Sequence, residues 1–390
     1  MIKSNKRIYT LSIFICLLIA VGVGVIGFNR CTPNPAYIHA AAASTSAQGM
    51  ATLEVSTGRV LYQKNMHAKL APASTTKILT ALVVIESISD LDKVHAIPDS
   101  AVGVEGSSIY LERGEKISVR DLLYGLMLQS GNDCAESLAI ITAGSKEKFA
   151  ALMNETAKRI GALNSNFVTP HGLDAEGHYT TAYDLALISA HALRNEEFAQ
   201  ISRTKKHSAP YGDRDYNRVI INKNKLLSSY EGCDGVKTGF TRKAGRTFVA
   251  SATRGDMQVV CAVLNCGPMF EDSARLMTAA FNEFTMTPLT RRGDIVARVK
   301  VDKGRNIDVA VGAKEAVYYP LRTSEADALQ PKIILPQSVK APVRLGAEIG
   351  KKQIYLANEL IYSVELVTVE AADSDNLVDR LRDIAERWSG

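Results

Sequence analysis

The stretch from Ala73 to Glu86 constrains this chain most. Ile78, Leu79, Leu82, Val83 and Ile85 put apolar side chains on nearly every face of a helix there. A helix that is apolar all round has no side to show to water, so it lies buried inside a domain. The chain can supply that domain: 390 residues suffice for two or three domains, and 46% apolar residues allow a large core.

Short strand patterns stand on both sides of this helix. Thr52–Val55 and Arg59–Tyr62 flank Ser56-Thr57-Gly58, which reads as a β-hairpin. Helices are expected at Val119–Leu128, Asp133–Ala143, Lys146–Ile160 and Ala182–Leu193. Ser118 with Asp121 resembles a capping box for the first of these. Gly235–Phe240, Arg246–Ala252 and Met257–Leu264 predict an antiparallel meander, and Ser273–Glu283 a closing helix. Strands at both ends with helices between them give an α+β domain over residues 45–290, one antiparallel sheet with helices packed on it.

From about Gly293 the pattern changes. Ile295, Ala297, Val299 and Val301 alternate with polar residues, as do Ile307, Val309 and Val311 and the run 361–366. These predict a small all-β domain over residues 293–370. Residues 373–390 read as an amphipathic helix, with Leu377, Leu381, Ile384 and Trp388 in one stripe. Its charges are mixed, so an interfacial membrane helix and a packing helix both fit.

Lys3, Lys6 and Arg7 precede an apolar run from Ile8 to Phe28, so residues 1–44 read as an export signal or an N-terminal membrane anchor. Small residues at Ala40–Ala43 favour cleavage, and Phe28-Asn29-Arg30 argues against a lipid on Cys31. Either outcome places the rest of the chain outside the cytoplasm. The six cysteines show no C-x-x-C spacing, which argues against zinc or redox chemistry. A net charge of +5 without a basic block argues against nucleic acid as a partner.

Three short motifs carry the chemistry: Ser74-Thr75-Thr76-Lys77, Ser130-Gly131-Asn132 and Lys237-Thr238-Gly239. S-x-x-K recurs at Ser145 and Ser202, but those copies sit among residues expected to be exposed and polar, and both follow Ser130. Residues three apart on a helix share a face, so Lys77 can reach Ser74. Burial lowers a lysine's pKa and makes it a base for the serine nucleophile. Ser130 is expected to relay a proton to the leaving group, and Asn132 to hold a substrate amide. Lys237 offers a charge for a substrate carboxylate, and Thr238 a hydroxyl. Gly239 lets an extended peptide lie along the strand, and the Phe240 N–H is an oxyanion donor candidate.

Ala71-Pro72-Ala73-Ser74-Thr75-Thr76-Lys77 and Asp234–Thr241 followed by Ala244-Gly245-Arg246 resemble the low-molecular-weight penicillin-binding proteins of the D-alanyl-D-alanine carboxypeptidase family. Thr169–Leu173 and Tyr179–Asp184 are similar to that family's intervening segments. The resemblance covers about residues 48–287 and implies a penicillin-binding, β-lactamase-like transpeptidase fold. It further implies an acyl-enzyme on Ser74, Lys77 as its base, Ser130 and Asn132 in the proton and substrate network, and Lys237 on the terminal carboxylate. The implied substrate is a peptidoglycan stem peptide ending in D-Ala-D-Ala, with β-lactams as covalent inhibitors and no cofactor. Phe240 stands where some members have histidine, and Cys134 where a small alanine is usual.

His171, Asp174 and His178 suggest a metal cluster, but a structural role suits loop histidines and an aspartate near a turn better. A serine β-lactamase and a non-catalytic wall-binding homologue are the rival readings. The added β-domain disfavours the first, and the intact motif residues disfavour the second.

Overall fold

The computed structural model describes residues 44–375, together with residues 384, 385 and 388. The expected export segment therefore lies outside the described residues apart from Ser44, and so does most of the expected terminal helix. Ser374, expected to open that helix, instead bridges to Gly304.

The chain begins with the hairpin β1 (Gly49–Glu54) and β2 (Val60–Lys64). Its turn is held by the Glu54 carboxylate, which accepts from the N–H groups of Ser56 and Thr57 at 2.8 Å. Helix α1 (Lys77–Ser87) follows a 3₁₀ turn at Ala73–Thr76. Next come the small pair β3 (Val94–Ala96) and β4 (Lys116–Ser118), then α2 (Val119–Tyr124), α3 (Asn132–Ala143), α4 (Lys146–Ile160), α5 (Ala182–Leu193) and α6 (Glu196–Arg203). The hairpin β5 (Lys206–Ala209) and β6 (Arg218–Ile221) and the short α7 (Leu226–Ser229) lead into β7 (Cys233–Thr241), β8 (Gly245–Arg254) and β9 (Met257–Leu264). Helix α8 (Met269–Glu283) closes the unit.

One five-stranded antiparallel sheet, in the order β2-β1-β9-β8-β7, joins the two ends of this stretch. Both of its faces are covered. Val249, Val260 and Ala262 point into the large core with α1 to α6, while Phe248, Ala250, Val259, Cys261 and Val263 point toward α8. That is the period-2 alternation of a strand, here apolar on both sides because helices lie on both sides. Strand β7 stands at the sheet's edge, so one side of the motif strand has no strand partner.

Three local expectations need correction. The helix expected over Val119–Leu128 stops at Tyr124 and continues as a π-turn, Gly125–Gln129. The capping box is incomplete: Ser118 Oγ caps the Asp121 N–H, but the Asp121 carboxylate accepts from Ser118 Oγ and lies 2.7 Å from His207. Ser202 is buried rather than exposed, because it lies on the inner face of α6, a short helix not anticipated; its Oγ donates to Asp234 O.

The β-rich part starts earlier than residue 293. Strand β10 (Thr285–Thr290) already pairs with β13 (Val317–Leu321). The remaining strands are β11 (Ile295–Asp302), β12 (Asp308–Ala313), β14 (Leu329–Ile334), β15 (Ser338–Lys340), β16 (Glu348–Leu356) and β17 (Glu359–Thr368). They form a six-stranded sheet in the order β14-β16-β17-β12-β11-β15.

A buried ionic joint ties the turn before β2 to β13 and the 3₁₀ turn Thr323–Ala328 that follows it. Arg59, just before β2, donates to Glu325 Oε1 at 2.5 Å and to the carbonyl of Pro320. Its guanidinium also lies over the rings of Phe284 and Tyr319, and Arg322 covers Phe284 at 4.2 Å. Arg59 and Glu325 are both buried, so removing one leaves the other's charge in a dry site. Glu325→Ala should cost about 3–5 kcal/mol. Scanning calorimetry should show a lower melting temperature and separated transitions for the two units; one unchanged transition would contradict this.

Candidate active site

Ser74 sits on the 3₁₀ turn that leads into α1. Two neighbours press on that turn. A Cβ at Gly239 of β7 would lie 2.8 Å from Ser74 N and 2.5 Å from Thr247 Oγ1. A Cβ at Gly172 would lie 1.9 Å from Ala73 O, and Gly172 has φ +84°. Ala73 itself is left-handed at φ 49°, a conformation that costs a non-glycine residue about 1–3 kcal/mol. Thr75 Oγ1 and Thr247 Oγ1 both donate to Pro72 O, at 2.6 and 2.9 Å, and hold the turn in this form. The strand thus approaches the serine's backbone N–H closely, and only glycine permits it. Gly239 was expected to admit a substrate; it also admits the serine turn.

Lys77 is fully buried one turn on. Its Nζ lies 3.0 Å from Ser74 Oγ, 2.7 Å from Asn132 Oδ1 and 2.7 Å from His171 O. Asn132 Nδ2 faces Glu105 O, which fixes the amide so that Oδ1 faces the lysine. The latter two partners can only accept. A neutral amine has two N–H groups and one lone pair, so both hydrogens are spoken for and the lone pair is left for the Ser74 O–H. Burial, and next the charge of Lys237, hold the Lys77 pKa well below the usual lysine range, in favour of that neutral form.

Ser130 ends the π-turn in a left-handed conformation, φ 67°. It is buried and precedes Asn132, the first residue of α3. Asp133 was overlooked in the sequence. Its carboxylate accepts from Ser108 Oγ and from the N–H groups of Ile109 and Leu111, and Ser107 O accepts from Asn132 N, so the loop before β4 is tied down beside the site. Cys134 Sγ fills space left by Gly125 and Gly131, where added Cβ atoms would lie 2.6 and 2.8 Å from it. Burial pushes that thiol's pKa well up, so it stays protonated.

Lys237 is buried on β7 and donates to Thr238 O at 3.0 Å. Its pKa is pushed down to about 7, first by burial and then by Lys223. A neutral Lys77 adds no repulsion to it. Thr238 is half-buried, and the Phe240 side chain is exposed. Ser74, Lys77, Asn132 and Gly239 thus meet around one turn, Lys237 lies near enough for its charge to act on Lys77, and Ser130 stands two residues before Asn132 in the chain.

The three suspected metal ligands are separately engaged. His178 Nδ1 accepts from Val168 N–H, so its Nε2–H donates to Thr76 Oγ1 at 3.0 Å. Burial pushes His178 down to about 4. His171 pairs with Glu136, and Asp174 accepts from Thr241 Oγ1. Among the described residues no group of side chains is arranged to hold a metal. The four described cysteines are free thiols.

A serine facing a lysine's lone pair, with a second lysine on an edge strand, defines a serine acyl-transfer site. Comparison with known proteins agrees. Residues 36–267 match the family model described as D-alanyl-D-alanine carboxypeptidase, and residues 284–374 that of the penicillin-binding protein 5 C-terminal domain. The chain is 34% identical to the D-alanyl-D-alanine carboxypeptidase DacC of Escherichia coli, over 90% of this chain and 91% of that protein. It is 31% identical to DacF of Bacillus subtilis, over 88% and 90%. The solved penicillin-binding protein 5 of Haemophilus influenzae superposes with a TM-score of 0.72 at 28% identity, covering 85% of this chain and 98% of that one. The chain belongs to the D-alanyl-D-alanine carboxypeptidase family.

The Lys237 pKa has a measurable consequence. The group is charged below about 7 and neutral above it, so affinity for a carboxylate-bearing ligand should fall as pH rises through that value. A bound carboxylate restores the charge, so binding above that pH should take up a proton, visible by calorimetry in buffers of different ionisation enthalpy. A flat profile in the native protein would contradict the assignment, and Lys237→Ala should produce one. Gly239→Ala should lower the rate of β-lactam acylation by about 100-fold or more, since the strand must retreat from Ser74.

Proposed function

We propose that this protein is a serine D-alanyl-D-alanine carboxypeptidase that acts outside the cytoplasm on peptidoglycan stem peptides. The observation that carries this reading is the Lys77 amine, with two acceptors on its hydrogens and Ser74 Oγ 3.0 Å away. Ser74 Oγ attacks the carbonyl of the penultimate D-alanine and gives its proton to Lys77. The N–H groups of Ser74 and Phe240 stabilise the oxyanion, and Gly239 brings the two segments together. Lys237 binds the terminal carboxylate, Thr238 adds a hydroxyl, and Asn132 orients the peptide. Collapse of the intermediate breaks the peptide bond, and the proton passes from Lys77 through Ser130 to the departing amine. Water then attacks the acyl-enzyme and gives a proton to Lys77, which returns it to Ser74 Oγ as the shortened stem leaves. β-Lactams enter by the first step and remain as the acyl-enzyme.

The export segment supports a site on the outer side of the cytoplasmic membrane, and the amphipathic pattern of residues 373–390 supports contact with that membrane. Among the described residues no helix is long and apolar enough to cross a membrane.

Incubation with a stem peptide ending in D-Ala-D-Ala should release one alanine, measured by mass spectrometry, and Ser74→Ala should abolish the release. Nitrocefin should give one stoichiometric burst. Sustained turnover would identify a β-lactamase instead, and a native protein that takes no penicillin label would identify a non-catalytic homologue.

A further inference from the structure

Glu136 is a carboxylate in an expensive place. It is 3% exposed on α3, four residues after Asn132 and so on the same face of that helix. Its Oε2 makes no hydrogen bond and meets only the half-exposed Lys146, at 3.4 Å. A buried carboxylate this sparsely served is costly unless its one good contact matters. That contact is His171 Nε2, 3.0 Å from Oε1.

The histidine's other nitrogen settles the direction of this bond. His171 Nδ1 accepts from the N–H of Leu173 at 3.1 Å, so Nε2 carries the hydrogen and donates it to Glu136. The ring is thereby fixed at both ends, and the ring is attached to the carbonyl that accepts from Lys77 Nζ at 2.7 Å. The next residue, Gly172, is the one seated against Ala73 O. The preceding residue, Pro170, offers its carbonyl to Thr80 Oγ1 of α1 at 2.6 Å. The segment around His171 therefore touches the nucleophile's turn, the lysine and the lysine's helix at once, and Glu136 grips its central side chain.

We propose that Glu136, acting through His171, is a positioning residue for the Lys77 base. It holds the His171 carbonyl on one lysine hydrogen, while Asn132, one turn earlier on α3, holds the other. Helix α3 thus directs the lone pair at Ser74 from two points. The inference rests on Lys77 acting as the base for acylation.

Stopped-flow acylation by a β-lactam separates binding from chemistry. In Glu136→Ala the acylation rate constant should fall about 10- to 100-fold, with the non-covalent dissociation constant unchanged within about twofold. Glu136→Gln keeps an acceptor and should stay within about threefold of the native rate. An unaltered rate in Glu136→Ala would overturn the proposal. So would equal losses in the two variants, or a loss confined to binding. In the unaltered protein, ring nitrogen shifts should report the Nε2–H tautomer of His171; the Nδ1–H tautomer would overturn the proposal even if Glu136→Ala does not fold. If Lys77→Ala itself acylates at the native rate, the base assignment has failed rather than the role of Glu136 alone.

Discussion

An amine without its charge, deep in a protein, is the condition for everything else at this site. Burial raises the cost of the ammonium form, and the neighbouring Lys237 raises it further. Two carbonyl oxygens then settle where the remaining hydrogens point. If burial is lost, Lys77 takes up a proton and aims a third N–H at Ser74 in place of its lone pair. The apolar surroundings of α1 therefore have a chemical purpose as well as a packing one: Ile78, Leu79 and Leu82 pack around the first turn and keep water from it.

The sheet supplies the second half of the site by standing close. Strand β7 is held in register by β8 and lies at the edge, so its outer side lacks the strand partner that an extended peptide would supply. Its approach to the serine turn is limited by one residue, Gly239, and the turn is held against it by threonine hydroxyls on Pro72 O. A nucleophile on one element and a carboxylate-binding lysine on another are thereby fixed with respect to each other through backbone contacts, which drift less than side chains do.

Much of this was legible in the sequence because it rests on local spacing. Ser74 and Lys77 are three apart, on a 3₁₀ turn and the first residue of the buried helix it leads into. The Lys237 motif lies in an alternating run, and β9 and α5 fall where periodicity puts them. What escaped was set by contacts between distant segments. The carbonyl of His171 is a backbone group with no sequence signature. Asp133 and Glu136 look like ordinary helix-surface charges until α3 is seen packed against the site. The π-turn before Ser130 reads as continuous helix, since Gly125–Gln129 keeps the apolar pattern. Ser202 reads as exposed because its neighbours Arg203 and Lys205 are, although α6 turns the serine inward.

The joint around Arg59 bears on how such an enzyme meets a polymeric substrate. The Arg59 guanidinium, paired with Glu325 and lying over the rings of Phe284 and Tyr319, fastens the β1–β2 turn to the segment around β13. Loosening that joint would let the unit that bears the serine turn against the β-rich unit, so the direction from which a polymer end enters depends on one ion pair.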